Sequence, residues 1–171
     1  MSVDPRSLSL VLYPSESLRQ KAELVDPSDN VVQSVARRMM EIMVEHEGAG
    51  LAAPQVGLPW RLFVTRDPED KNSAFAWINP TIEVIAPEIT VEEEGCLSLP
   101  EILGNIRRPL GIKISGKDAD GKSIEMESVD FIARVWQHEN DHLDGILIID
   151  KMSAMDRLVN RRAIRNLERS V

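Results

Sequence analysis

The chain contains very little cysteine and histidine. Among its 171 residues, Cys96 is the only cysteine, and the histidines are His46, His138 and His142. A single cysteine excludes an internal disulfide and is typical of a reducing compartment. It also excludes structural zinc sites built from four cysteines, or from two cysteines and two histidines. A site made of thiolate and imidazole in this chain therefore has few ligands, and an open coordination position is typical of catalysis.

Long apolar runs are missing from the sequence as well. No run of about 18 apolar residues occurs, so neither a membrane span nor a membrane partner is expected. Asp4, Pro5 and Arg6 lie where a secretory signal would need an apolar core. Together with the single cysteine, these features predict a cytoplasmic protein. The length predicts a single domain that spans residues 1–171.

Acidic charge dominates the chain, but it is unevenly distributed. The net charge of −8 argues against DNA binding and against general nucleic-acid binding. Residues 153–171 carry a net +3, so the rest of the chain carries −11. Such a basic segment is either a solvated helix face or an RNA contact. Its arginines are Arg157, Arg161, Arg162, Arg165 and Arg169.

Helical patterns flank a strand-rich middle. Residues 26–48 predict a helix with Asp26 as its N-cap, residues 128–145 predict a second helix, and residues 153–171 predict a basic C-terminal helix. Between them lie short runs of β-branched and aromatic residues, at 61–65, 74–79, 81–86, 89–94, 110–116 and 123–128. This order predicts an α+β fold, a single compact domain in which short antiparallel or mixed strands pack around the second helix.

The segment QHENDHLDG carries the clearest chemical pattern. His138 and His142 are four residues apart, so on a helix they share one face and can bind the same metal ion. Glu139 lies about 100 degrees around the helix, from where it can reach a water at the metal as a general base. The alternatives are a surface helix with unrelated polar residues, or two core histidines satisfied by hydrogen bonds.

The third ligand separates the enzyme types that share this helix. A metzincin would need a histidine at position 148, which is isoleucine, and a thermolysin-like site would need a downstream glutamate, of which only Glu168 remains. Upstream, EGCLSLP offers Cys96, either as a thiolate ligand or as a small buried apolar residue. A third segment, EGAGLAAPQVG, has little side chain around Gln55, whose amide can donate to a substrate oxygen.

Three segments of the chain together resemble one known family. GAGLAAPQVG, EGCLSLP and QHENDHLDG match, in order and spacing, the three signature motifs of the peptide deformylases, and the similarity extends to LYPSESLRQKA and IRRP. The resemblance implies a hydrolase that removes the N-formyl group from the initiating methionine of new polypeptides and releases formate. It also implies one divalent metal ion bound by Cys96, His138 and His142. Fe²⁺ is expected from the resemblance, and Ni²⁺, Co²⁺ or Zn²⁺ can substitute.

The resemblance also implies a role for individual residues in the reaction. Metal-bound water attacks the formyl carbon, and Glu139 takes its proton and later protonates the departing amine. The Gln55 side-chain amide and the Leu97 backbone N–H are the expected donors to the oxyanion. Glu94 and Arg108 match positions that pair in relatives, and they are expected to brace the cysteine loop.

Substrate and partner contacts are expected at two further places. Ala49, Gly50, Phe131 and Val135 are candidate walls of an apolar pocket for the methionine side chain, and relatives often carry a larger aliphatic residue at the position of Ala49. By the same resemblance, the arginine-rich helix within residues 153–171 is expected to contact ribosomal RNA.

Two rival functions stay open at this point. A different amidase or peptidase with the same metal site would cleave internal peptide bonds or other N-acyl groups. A family member without catalysis would act as a binding protein, although the presence of all three ligands, Glu139 and Gln55 argues against it.

Overall fold

The computed structural model describes residues 3–170, in which one sheet is the main scaffold. Within these residues the sheet has five strands in the order β1-β2-β3-β4-β5, and every neighbouring pair is antiparallel. The strands are β1 Gly50–Ala52, β2 Leu62–Arg66, β3 Ala74–Cys96, β4 Leu99–Lys117 and β5 Ser123–Ser128. The helices are α1 Asn30–Glu45, α2 Phe131–Leu143, α3 Ile148–Lys151 and α4 Ala154–Arg169. The predicted α+β class is confirmed.

Alternate side chains of β2 belong to two hydrophobic clusters, one on each face of the sheet. In β2, Leu62 and Val64 pack in the cluster around α1, whereas Phe63 between them packs in the cluster around α2. Because successive side chains of a strand point to opposite faces, this strand is covered on both sides. The sheet therefore lies between α1 and α2, and the helix that carries His138 and His142 is held against its core.

The predicted short strands between residues 74 and 116 are wrong in their boundaries. β3 and β4 form one long hairpin in which the pairing continues through register shifts between Ile78 and Thr81 and between Ala86 and Ile89. Pro80 and Pro87 lie inside these shifts. Because proline cannot donate to a ladder, it is tolerated at a bulge, where the strand bends and then resumes pairing.

The predicted N-cap of the first helix is also wrong. α1 begins at Asn30, and the Asp29 carboxylate accepts a 2.7 Å hydrogen bond from the Val31 N–H. Asp26 instead accepts hydrogen bonds from Ser28 in a turn before the helix. Both residues are aspartates, so residue type alone does not distinguish them as caps.

The C-terminal helix is attached to the core. The predicted C-terminal helix is present: α4 follows Ser153, whose hydroxyl accepts from the Asp156 N–H at 3.1 Å. Three of its apolar residues, Ala163, Ile164 and Leu167, pack against the cluster formed by the hairpin and α3. Val171 of the predicted helix lies outside the described residues. None of the described helices is long and apolar enough to cross a membrane.

The cap assignment is testable by substitution. Asp29→Ala should lower the free energy of unfolding by about 1 kcal/mol, because it leaves an orphan N–H of the first helical turn without its acceptor. Asp26→Ala is the matched control and should have a smaller effect, since its partner lies outside the helix. Urea denaturation of both variants measures the difference. An equal or larger loss for Asp26→Ala would contradict the assignment.

Candidate active site

Cys96, His138 and His142 meet between the end of β3 and the inner face of α2. One potential ligand atom from each residue lies within 4.8 Å of the other two. The Cys96 Sγ is 3.4 Å from the His142 Nε2, and the two imidazole centroids are 5.1 Å apart. A tetrahedral ion with typical metal–sulfur and metal–nitrogen bonds would place these donors about 3.6 Å apart. The donor set and its spacing therefore fit one small divalent cation.

The orientation of His138 is set by Glu94. The His138 Nδ1 lies 2.9 Å from the Glu94 Oε1. Burial opposes ionisation of Glu94, but hydrogen bonds from His138 and Arg108 hold the pKa of this carboxyl well below its usual range. An ionised carboxylate only accepts hydrogen bonds, so Nδ1 carries the hydrogen and Nε2 is left to bind a metal.

The two histidines differ in their electrostatic surroundings. Burial lowers the pKa of His142 well below its ordinary value, and the nearby charges of His138 and Arg108 add to this effect, so it is a neutral imidazole suited to metal binding. Burial also disfavours the charged form of His138, but its neighbours Cys96 and Glu94 outweigh burial and raise its pKa to about 10. A bound cation would compete with this proton for the His138 imidazole.

The Glu139 side chain lies against Gly50, the first residue of β1. It is 4% exposed, and its Oε2 has no hydrogen-bond partner among residues 3–170. Burial raises the pKa of Glu139 to about 7, so the group can take up and return a proton near neutral pH. A Cβ at position 50 would lie 2.6 Å from the Glu139 Oε1. Gly50 is therefore required for the close approach of β1 to this carboxylate.

Gln55 is held on both sides of its amide. Its Oε1 accepts from the Ala52 N–H at 2.9 Å, so Nε2 is directed away from that loop. Nε2 donates to the Ser98 Oγ at 3.2 Å and lies 3.5 Å from the Cys96 Sγ. The amide donor is thus fixed beside the metal-ligand cluster.

A cavity of about 320 Å³ adjoins this cluster. The predicted pocket residues Ala49, Gly50, Phe131 and Val135 all line it, together with Gln55, Leu97, Cys96, His138 and Glu139. Val135 is buried, whereas Phe131 is 64% exposed and so lies at the surface side of the cavity wall rather than in the core. The cavity combines an apolar wall with convergent polar groups, which is the usual composition of a small-molecule site.

Comparison with known proteins identifies the family. The sequence pattern of the polypeptide deformylases matches residues 7–158. The chain belongs to the polypeptide deformylase family. A peptide deformylase of Thermotoga maritima is 44% identical over 154 residues, which cover 90% of this chain and 92% of that protein. A relative from Borreliella burgdorferi, also named peptide deformylase, is 42% identical over 84% of this chain and 86% of its own length.

Solved structures of this family share the fold. A crystal structure of peptide deformylase from Plasmodium falciparum superposes with a TM-score of 0.87 at 35% identity, and covers 95% of this chain and 96% of its own. The crystal structure of the Thermotoga maritima peptide deformylase has a TM-score of 0.79 at 42% identity, with 85% and 97% covered. The family match over residues 7–158 spans all five strands, α2 and the three motif segments.

A cluster of ionised side chains lies behind the metal-ligand residues, and the sequence predicts only two of its members, Glu94 and Arg108. The expected pair is present: the Arg108 Nε donates to the Glu94 Oε2 at 2.7 Å, and Nη2 donates to Oε1 at 2.9 Å. Two members were missed. Asp141 accepts from the Arg108 Nη1 at 2.9 Å, and Arg134 donates to the Glu94 Oε2 at 2.7 Å. The spacing of Arg134, four residues before His138, was the available signal, because it places both side chains on one face of α2.

The structure also gives the locations of His46 and Leu97. His46, the remaining histidine of the chain, is the exposed C-cap of α1 and is not part of the metal-ligand group. Leu97 lies at the tip of the β3–β4 hairpin and lines the cavity beside Cys96. The role of its backbone N–H stays a prediction.

Proposed function

We propose that this chain removes the N-formyl group from the initiating methionine of newly made polypeptides and releases formate. The observation that carries this proposal is that two members of the ligand group, Cys96 and His138, line one cavity with an apolar wall. Glu139 and Gln55 line the same cavity. A formyl group is the smallest acyl group. A metal-ligand group at the edge of the cavity can reach the amide bond that joins this group to the N-terminus of a substrate peptide. Family membership supports the same activity.

The proposed cofactor is one divalent metal ion on Cys96, His138 and His142, with Fe²⁺ expected and Ni²⁺, Co²⁺ or Zn²⁺ able to substitute. When bound, such an ion lowers the pKa of a coordinated water to about 7 and polarises a carbonyl oxygen. The expectation of iron comes from the family resemblance, because a thiolate with two imidazoles also suits zinc.

The protein's own groups supply proton transfer and charge stabilisation. Glu139, buried and without a partner among the described residues, takes the proton of the attacking water and gives it to the departing amine. The Gln55 Nε2 and the Leu97 N–H donate to the oxygen on which negative charge develops. Ala49, Gly50, Phe131 and Val135 hold the methionine side chain. Glu94 and Arg108 keep the cysteine loop and His138 in place.

Formate release tests the proposed activity directly. The nickel-loaded enzyme should hydrolyse a formyl-Met tripeptide and leave the acetyl-Met tripeptide intact, and removal of the metal with a chelator should abolish turnover. Nickel is chosen because oxidation of iron would disguise activity. Equal turnover of the acetyl peptide would identify a different N-acyl amidase. Absence of turnover with one metal ion bound per chain would refute the substrate but not the metal site.

The oxyanion donor is tested by substitution of Gln55. Gln55→Ala should lower kcat for the formyl peptide by about 100- to 1,000-fold, since it removes one donor to the developing charge. Ser98→Ala is the matched control: it removes a buried partner of the same amide and keeps the donor, so the loss should stay below about tenfold. Comparable losses for the two variants would refute the donor role.

We further propose that α4 contacts ribosomal RNA. All five arginines of this helix are exposed, and Arg157, Arg161 and Arg165 line one surface groove. A basic surface on an acidic protein attracts the phosphate backbone through a salt-dependent interaction. Truncation after Met152 would also remove Ala163, Ile164 and Leu167 from the core, so charge reversal is the better experiment.

The double variant Arg161→Glu/Arg165→Glu should lose ribosome co-sedimentation at low salt, because the two side chains share one helix face. Lys21→Glu/Lys122→Glu makes the same change of charge at exposed positions elsewhere and should keep binding. Unchanged co-sedimentation of the α4 variant would rule out the contact.

A further inference from the structure

We propose that Arg134 is a positioning residue of the metal site, which acts by fixing the carboxylate of Glu94 and, through it, the imidazole of His138. The inference rests on the ligand group proposed above. Arg134 belongs to none of the three motif segments, and its side chain makes no contact with the proposed ligand atoms in the hydrogen bonds described for it.

The guanidinium of Arg134 is anchored to both arms of the β3–β4 hairpin. Arg134 is 5% exposed. Its Nη2 donates to the Thr90 carbonyl at 3.1 Å and to the Thr90 Oγ1 at 2.8 Å, on β3. Its Nη1 donates to the Ile106 carbonyl at 2.9 Å, on β4. These backbone and hydroxyl acceptors hold the planar group in one orientation, independently of Glu94.

The Arg134 Nη1 that donates to the Ile106 carbonyl also donates to one oxygen of Glu94. It donates to Oε2 at 2.7 Å, whereas the His138 Nδ1 binds Oε1 at 2.9 Å. Arg108 bonds to both oxygens and so aligns the carboxylate with its own fork. Arg134 adds a donor from α2 to Oε2, the oxygen that does not bind His138, and so fixes the carboxylate relative to the helix that carries His138.

Charge supports the same assignment. Glu94 pairs with Arg108 and Arg134 in a largely buried cluster, whereas Asp141 pairs with Arg108 and with the partly exposed Lys151. The Arg134 Nε also lies 3.4 Å from the exposed Glu92 carboxylate. Without Arg134, the only guanidinium left to Glu94 would be that of Arg108, which is also bonded to Asp141. A buried ionised side chain that loses a partner is destabilised, so it rotates toward another donor or is hydrated by water. Rotation of Glu94 would then turn the ring of His138 and move its Nε2.

A purely structural role is the alternative. Arg134 links α2 to both hairpin strands, and that link by itself would affect stability. It would not affect how tightly a folded protein binds a metal ion, nor the geometry around that ion. Metal affinity and the visible spectrum of bound Co²⁺ therefore distinguish the two roles, and neither requires substrate.

The experiment compares four variants of the full chain with the wild type; the fourth, Cys96→Ser, tests the proposed ligand group itself. Arg134→Met removes the charge and keeps an apolar stem, and should weaken Co²⁺ binding by about 10- to 100-fold, the usual effect of losing an outer partner of a metal-binding histidine. Its cobalt absorption bands should shift as well. Thr90→Val loosens one anchor of the guanidinium and should give a smaller change in the same direction. Glu92→Gln is the control, because Glu92 is an exposed partner 3.4 Å from the Arg134 Nε.

Wild-type Co²⁺ affinity and spectrum in folded Arg134→Met, with lowered thermal stability alone, would overturn the proposal. If Arg134→Met does not fold, Thr90→Val decides: weaker Co²⁺ binding with shifted bands supports the positioning role, and wild-type behaviour refutes it. If Cys96→Ser binds Co²⁺ as the wild type does, the proposed ligand group itself is wrong, and that failure is distinct from failure of the Arg134 proposal.

Discussion

The buried carboxylate of Glu94 is the interaction on which the rest of the site depends. An ionised group in the interior is costly unless it is fully paired, and here Arg108, Arg134 and His138 surround it. These partners come from β4 and α2, so the charge that must be compensated also ties the hairpin to the helix. The ligand at the end of β3 and the ligands on α2 are thus held together by an ion cluster behind them.

The shape of the cavity follows from a second constraint, the close approach of β1 to α2. Only glycine fits at position 50 beside Glu139, and the neighbouring segment offers little side chain apart from Gln55. Because β1 has no side chain at position 50, the Glu139 carboxylate reaches the cavity and is still buried. Because the groups lie on a strand, a hairpin tip and a helix rather than on long loops, their relative positions are well defined.

Sequence patterns predicted the fold class and most of the candidate site, and the errors have identifiable physical causes. Pro80 and Pro87 suggested breaks between strands, but bulges accommodate them within β3. The cap of α1 is Asp29 rather than Asp26, and residue type does not distinguish two aspartates three residues apart. Arg134 was missed because arginine is usually exposed, and its acceptors are far away in the chain.

Local spacing by itself determined that His138 and His142 share a face with Glu139 beside them, because the turn of a helix sets which residues are neighbours. It could not determine that Cys96 Sγ lies 3.4 Å from an imidazole 46 residues further along the chain, or that the amide of Gln55 lies beside the same sulfur. Those contacts depend on the bulged pairing of β3 with β4 and on the sheet packed between α1 and α2. Only the tertiary structure decides them, since they join segments that have no local geometry in common.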